Sequence, residues 1–409
     1  MKLRNYFLLS IVVGAAFACS SNEDIPEEHV FTPNATLSLT AGIYGSNHTK
    51  AAGAIITEEE AKEDEIHTLD VLVFSGSGET AQYQTEQRVA NSTTVSDIPV
   101  EAGSATLVVL ANSGLATNHF VGKTLSNVLE ETRSLEGENL ENGLSMSSAV
   151  IETNISVNKH NIFGGSGDFD GHLPTETKGG VIDLYRHVAQ VNLKSVQISE
   201  SNSGAKFVLD EVFVANVKGY SRIATGDDDH SVEASAAPAG QKLWWYGDCA
   251  LDSWNGEYKT TTDGAEEKDL LAWTPESTTE ITLGKALETA KDERAVASFY
   301  VYENRNNTPL GQRTLLVLKG RYTDKSGRDE GTRYYTVSVN DPDMKGSTST
   351  ESGDKVSHNY IKRNYRYNIS LVIKSSGSDR PYDPASEACM DVAVKVADWD
   401  VIEQKEELD

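Results

Sequence analysis

Asp227, Asp228, Asp229 and His230 set three carboxylates and an imidazole in succession, donors that would suit a divalent cation. Acidic runs between strands are ordinarily solvated turns, so a turn is expected there. The glycine-rich run from Phe163 to Gly171 invites a phosphate loop, but it has no Lys-Ser/Thr pair and does not lead into a long helix. Asp168, Asp170 and Gly171 resemble part of a calcium loop. No Glu follows at the distance an EF-hand requires, and a turn is again the reading. Gly164-Gly165-Ser166 comes nearest to a nucleophile elbow but has Asp168 where the second glycine belongs. The nine histidines are scattered, without His-Glu-x-x-His. No catalytic residue, metal or cofactor is assigned. Trp244-Trp245-Tyr246 could stack on a sugar or a partner protein. Neighbouring strand residues point to opposite faces, so one Trp in the core and one outside is the expectation.

The remaining chemistry is that of export. Lys2 and Arg4 precede an apolar run from Phe7 to Ala18, too short to span a bilayer, and Cys19 follows where a bacterial lipoprotein signal places its lipidated residue. Ordinary signal cleavage near Ala18 is the alternative. Residues 20–33 read as a polar tether. The other two cysteines, Cys249 and Cys389, form no Cys-x-x-Cys motif, so neither a redox pair nor a cysteine zinc site is indicated. A formal net charge of −26 argues against nucleic acid as a partner, since phosphates must be met by Lys and Arg. It argues equally against a polybasic membrane surface. With 10 Phe, 5 Trp and 16 Tyr, the chain has the aromatic content of a packed protein.

From residue 34 onward the dominant period is two. Leu37, Leu39, Ala41 and Ile43 alternate with polar or small residues, as do Leu69, Val71 and Val73, and later Ala189, Val191 and Leu193. Met390, Val392, Val394 and Val396 repeat the pattern near the C-terminus, shortly before Trp399. Both terminal stretches read as edge strands. Helical spacing is expected over about 124–135, and more weakly over 285–293. Many short strands with Gly- and Asp-rich turns imply an all-β chain of two tandem antiparallel β-sandwiches with one or two short helices. The strand-dense blocks divide at about residue 184, giving domains 34–184 and 185–409. Lys50-Ala51 lies in a polar stretch suited to a trypsin-like protease.

Ala105 to Gly114 with Val121 to Leu125, Arg186 to Leu193, Ile361 to Ile369 and Val394 to Trp399 together resemble the FimA-type major fimbrial subunits of Bacteroidales, the type V pilins. The resemblance implies transthyretin-like sandwiches, export as an outer-membrane lipoprotein through Cys19, and assembly into an adhesive surface fimbria. It also implies a processing protease that cuts after a basic residue following the first strand, here between Lys50 and Ala51. The lost strand would be about 35–44, with Leu37, Leu39, Ala41 and Ile43 as its apolar face. The donor strand of a neighbour would be about 389–402, with Met390, Val392, Val394, Val396 and Trp399. Lys50 departs from the usual Arg at the cut. Implied partners are further copies of the chain, accessory subunits, the protease, and host or bacterial surface ligands.

Such an exchange obeys simple energetics. Four apolar side chains on the donor face contribute roughly 6–12 kcal/mol when buried, while ordering ten residues costs about 1–2 kcal/mol each, so backbone pairing must help. A strand tethered to its own domain is present at roughly millimolar effective concentration and would outcompete a neighbour's. Cutting removes that advantage. On this reading Val394→Asp should block assembly and leave the fold intact. An accessory or tip subunit, or a glycan-binding lipoprotein using Trp244 and Trp245, is the alternative.

Overall fold

The computed structural model describes residues 31–44, 58–165, 173–226, 229–245, 249–251, 258–260, 270–290, 295–306, 313–341, 346–350, 353, 355–381, 383 and 389–399. The protein is all-β, with α-helices at Glu58–Glu63 and Leu125–Glu130 among the described residues, and Pro33–Asp409 forms one compact unit. β1 (Ala35–Ile43), β2 (Thr68–Ser75), β3 (Gln82–Ala90), β4 (Thr94–Val100) and β5 (Gly103–Ala111) supply most of the first sheet system, which runs on to Ile182–Arg186. Val71, Val73, Val95, Ile98, Leu107, Val109 and Leu184 share one core with the inward face of β1. The next strand, Val188–Ile198, already belongs to a different sheet, so the change of sheet falls at His187.

Val188–Ile198 pairs with Ala297–Tyr302 and Tyr365–Ile373, and the last of these pairs with the C-terminal strand, Met390–Asp398. A second sheet, built on Lys206–Ala215, Leu315–Thr323 and Asp329–Ser338, closes the sandwich. Both sheets contribute to one core, in which Phe207, Leu318 and Tyr335 share space with Val191, Ile369 and Val394.

Three details depart from the sequence-based expectations. Pairing is mixed: β1 runs parallel to His160–Phe163 and to Ile182–Arg186, and Val188–Ile198 runs parallel to Tyr365–Ile373. The expected helix shrinks to α2 (Leu125–Glu130), started by a capping box between Thr124 and Asn127. It stops because Thr132–Ser134 pairs with Tyr220–Arg222, while the Arg133 guanidinium binds the carbonyls of Asn112, Ser113 and Gly137. Residues 285–293 are not helical where described. Leu287–Glu288 instead pairs with Ser195 and Val196. A further helix, α1 (Glu58–Glu63), rises from the acidic stretch before β2.

The turn after His160–Phe163 needs its glycine. Gly164 has φ +67°, and a Cβ there would sit 2.8 Å from the Val181 Cα. Residues 166–172, which include the calcium-like part of the run, lie outside the described residues.

Candidate strand-exchange site

β1 is an inner strand. Ala35, Leu37, Leu39, Ala41 and Ile43 are all buried in the core. One backbone edge pairs antiparallel with β4, and the other pairs with His160–Phe163 and then with Ile182–Arg186. The expectation of an edge strand is therefore corrected, because alternation reports how many faces are buried and not how many neighbours flank the strand. Withdrawing β1 would open an apolar trough between two unpaired strand edges, a template for another strand.

The opposite face of β1 is closed at one point. Ser38 is fully buried, its Oγ 2.7 Å from Nε2 of buried His160. The same oxygen accepts the Asp97 backbone N–H at 2.9 Å. A bulge makes this possible: β4 shifts register opposite Ser38, and Asp97 turns its amide inward at φ +57°.

The C-terminal strand is also flanked on both sides, antiparallel to Tyr365–Ile373 and parallel to Gly346–Thr350. This corrects the second edge-strand expectation. Met390, Val392, Val394 and Val396 face its own domain's core and are buried. Val394→Asp would therefore bury a carboxylate within the subunit, so the expectation that it spares the fold is withdrawn.

Trp399 ends this strand in a site that sequence reasoning missed. Its ring is fully buried, stacks on Tyr300 at 6.0 Å, and lies 5.2 and 5.3 Å from the Arg186 and Arg366 guanidiniums. Its Nε1–H donates to Glu63 Oε2 at 3.1 Å. Arg366 Nη2 donates to the same oxygen at 3.1 Å, while Oε1 accepts the Tyr300 hydroxyl at 2.7 Å and Gln190 Nε2 at 3.2 Å. Asp64 beside it binds Arg186. A buried carboxylate with four donors is stable because every desolvated charge has a partner. Glu63 ends α1, so the segment that follows the expected cut is tied to the end of the expected donor.

Cys19, Lys50 and Ala51 lie outside the described residues, as do Asp227, Asp228 and Tyr246. Asp229 binds Arg305, and His230 stacks on Tyr185. Among the described residues no group of His, Cys, Asp or Glu is arranged to hold a metal, and no helix is long and apolar enough to cross a membrane. Trp245 is buried, and half-buried Trp244 is covered by Lys218, whose Nζ lies 4.1 Å from the ring centre. That lysine covers one face of the ring.

A buried and a half-buried imidazole should make the fold acid-sensitive. His187, at the change of sheet, bonds the Ser145 and Ser147 hydroxyls, and burial holds it well below the usual histidine range. Burial brings His358, bonded to the Tyr367 hydroxyl, down to about 4. Unfolded histidine takes up a proton near pH 6.5 while the folded His358 resists until about 4, so stability falls as pH drops through that window. For His358 the loss is on the order of 3 kcal/mol. Urea midpoints measured at pH 7.5 and 4.5 should show the decline, and His358→Gln should flatten it.

Residues 35–198 match the family of the major fimbrial subunit protein (FimA), and residues 265–399 match the C-terminal domain of Fim1C-like fimbrium tip subunits. Along its whole length the chain is similar to FimA-type fimbrial subunits. It is 28% identical over 429 residues to a major fimbrium subunit FimA type-2 of Porphyromonas gingivalis, covering 99% of both chains. A FimA type-3 subunit of the same species is 27% identical, with 98% of each chain covered. Among solved structures, a candidate cell adhesion protein of Parabacteroides distasonis superposes with a TM-score of 0.63 at 25% identity, over 90% of this chain and 99% of that one. A fimbrilin of P. gingivalis shares the fold, with a TM-score of 0.59 at 23% identity over 92% and 100% of the two chains. These likenesses support a structural fimbrial subunit.

Proposed function

We propose that this FimA-type chain is a stalk subunit that polymerises by strand exchange. It is exported as a lipoprotein through Cys19 and cut between Lys50 and Ala51. Loss of β1 opens the trough in the domain of residues 34–184, and the C-terminal strand of another copy fills it. That strand is drawn from the domain of residues 185–409. Head-to-tail repetition gives an open filament, an adhesive fimbria on the cell surface with accessory subunits at its ends.

The observation that carries this reading is the position of β1. A nine-residue strand beside the N-terminus fills a fully buried apolar trough and pairs along both edges, so its removal leaves a vacancy shaped for a strand. The C-terminal strand is also nine residues long, with an apolar face of the same period. A stalk role is favoured over a tip role because full-length similarity runs to major subunits, while the tip-type match is confined to residues 265–399.

The test is limited digestion of purified full-length protein with a trypsin-like protease, followed by gels in SDS without heating and by negative-stain microscopy. Cleavage after Lys50 should give ladders and filaments, with uncut protein remaining monomeric. Clean cleavage there that leaves monomers would count against the proposal.

A further inference from the structure

The trough under β1 contains one polar seat. At Ser38 the outer face of the strand is sealed, and the hydroxyl meets the Asp97 amide in the bulge of β4 and Nε2 of His160 from the strand on the other edge. Asp97's own carboxylate lies 3.8 Å from the same imidazole nitrogen and is largely exposed. Any strand that replaces β1 must set something at this seat. A group that accepts hydrogen bonds satisfies the amide, an apolar one removes its acceptor, and a cation faces an N–H donor.

We propose that Asp391 of a second copy of this chain takes the Ser38 seat and thereby fixes the register of the incoming strand. The inference rests on the strand-exchange reading and adds the residue that aligns it. The incoming strand runs in the direction of β1. Each of the two strands lies in its own subunit between one antiparallel and one parallel neighbour, so the same mixed pairing serves both.

Outward positions of the C-terminal strand are Asp391, Ala393, Lys395 and Ala397, and each defines a register. With Asp391 at the seat, Met390, Val392, Val394 and Val396 fall where Leu37, Leu39, Ala41 and Ile43 were, so every inward place is apolar. The carboxylate accepts the Asp97 amide in place of the Ser38 hydroxyl and lies beside the His160 imidazole. With Ala393 at the seat, the Asp97 amide loses the acceptor that Ser38 supplied and Asp398 falls in the place of Ile43. Lys395 or Ala397 at the seat would drive Asp398 to the place of Ala41 or Leu39, deep in the core. A valine falls on the Ala41 place in both leading registers, so that crowding does not choose between them. Within its own subunit Asp391 is mostly exposed and bonds the Lys374 ammonium at the surface, so using it elsewhere costs the donor's fold little.

Cysteine pairs read the register. Thr40 and Thr94 are partners across β1 and β4, their hydroxyls 3.3 Å apart. The proposed register puts Ala393 of the incoming strand beside Thr94, and the Ala393-seated register puts Lys395 there. Full-length protein with Cys249→Ser and Cys389→Ser, carrying Thr94→Cys with either Ala393→Cys or Lys395→Cys, is cut and oxidised. The expected result is a reducible ladder from the Ala393→Cys pair after cutting, with none from uncut protein. A ladder from the Lys395→Cys pair instead overturns the register and leaves strand exchange standing. Polymer without either crosslink overturns the register and the direction. No polymer from the unsubstituted cut protein removes the exchange reading, and this proposal with it.

A second measurement isolates the carboxylate. Asp391→Ala should slow polymer growth about tenfold or more, the loss of a charged hydrogen bond. Asp391→Ser, which restores the hydroxyl that β1 itself supplies, should recover most of the rate. Lys374→Ala should leave it unchanged. Equal rates for Asp391→Ala and the unsubstituted protein would overturn the role given to Asp391.

Discussion

Glu63→Ala should lower the unfolding free energy of the uncut subunit by about 3–5 kcal/mol, the range for removing one partner of a buried ion pair. Glu63 receives Trp399, Arg366, Tyr300 and Gln190 at 2.7–3.2 Å with no exposure of its own, so truncation strands four donors at once. Glu63→Gln keeps an acceptor of the same shape and should cost about half as much. The effect should also have a place. Amide exchange in Met390–Asp398 should rise more than in β2 or β5, because Trp399 loses its anchor at the end of that strand. In cut protein the same freedom should speed polymer growth, since the donor leaves its own sheet more readily. Urea unfolding and peptide-resolved exchange measure the two effects, and a uniform rise in exchange would show that Glu63 stabilises the whole body without latching the strand.

The second large effect belongs to the other terminal strand. Leu37 and Leu39 are both buried in the core of the first sheet system, and truncating either to Ala should cost about 2–5 kcal/mol. The pair Leu37→Ala with Leu39→Ala should loosen β1 strongly and raise its exchange and its susceptibility to protease. Polymers should still await the cut. While residues 45–57 join the strand to the rest of the chain, its effective concentration stays near millimolar, above any working concentration of a neighbour's strand. Light scattering before and after digestion checks this. Spontaneous polymer from uncut double variant would show that packing alone restrains exchange.

The alternation of Leu37, Leu39, Ala41 and Ile43, and of Met390 through Val396, was legible because one-faced burial imposes period two on a strand. The number of neighbours was not, since hydrogen-bonded edges leave no trace in side-chain pattern. Ser38 shows the same limit: its polar type predicts an exposed position, and only the bulge at Asp97 with His160 beside it turns that position into a buried seat. Glu63 was hidden as one of six acidic residues from Glu58 to Glu65, where a solvated face is the ordinary expectation. Its partners come from positions more than 120 residues away in sequence. Trp399 was picked out as part of a donor strand, yet its buried indole and the two arginines over it depend on the same distant pairing. The helix over 124–135 was legible in its start, through the spacing of Leu125, Val128 and Leu129, and not in its end, which is set by the strand at Tyr220–Arg222.

The account turns on β1 being a temporary occupant, and the intact mass of subunits released from purified filaments tests that most directly. The predicted mass is that of a chain beginning at Ala51, with Ala35–Ile43 gone and Met390–Asp398 retained. Filaments whose subunits still carry Ala35–Ile43 would contradict the account.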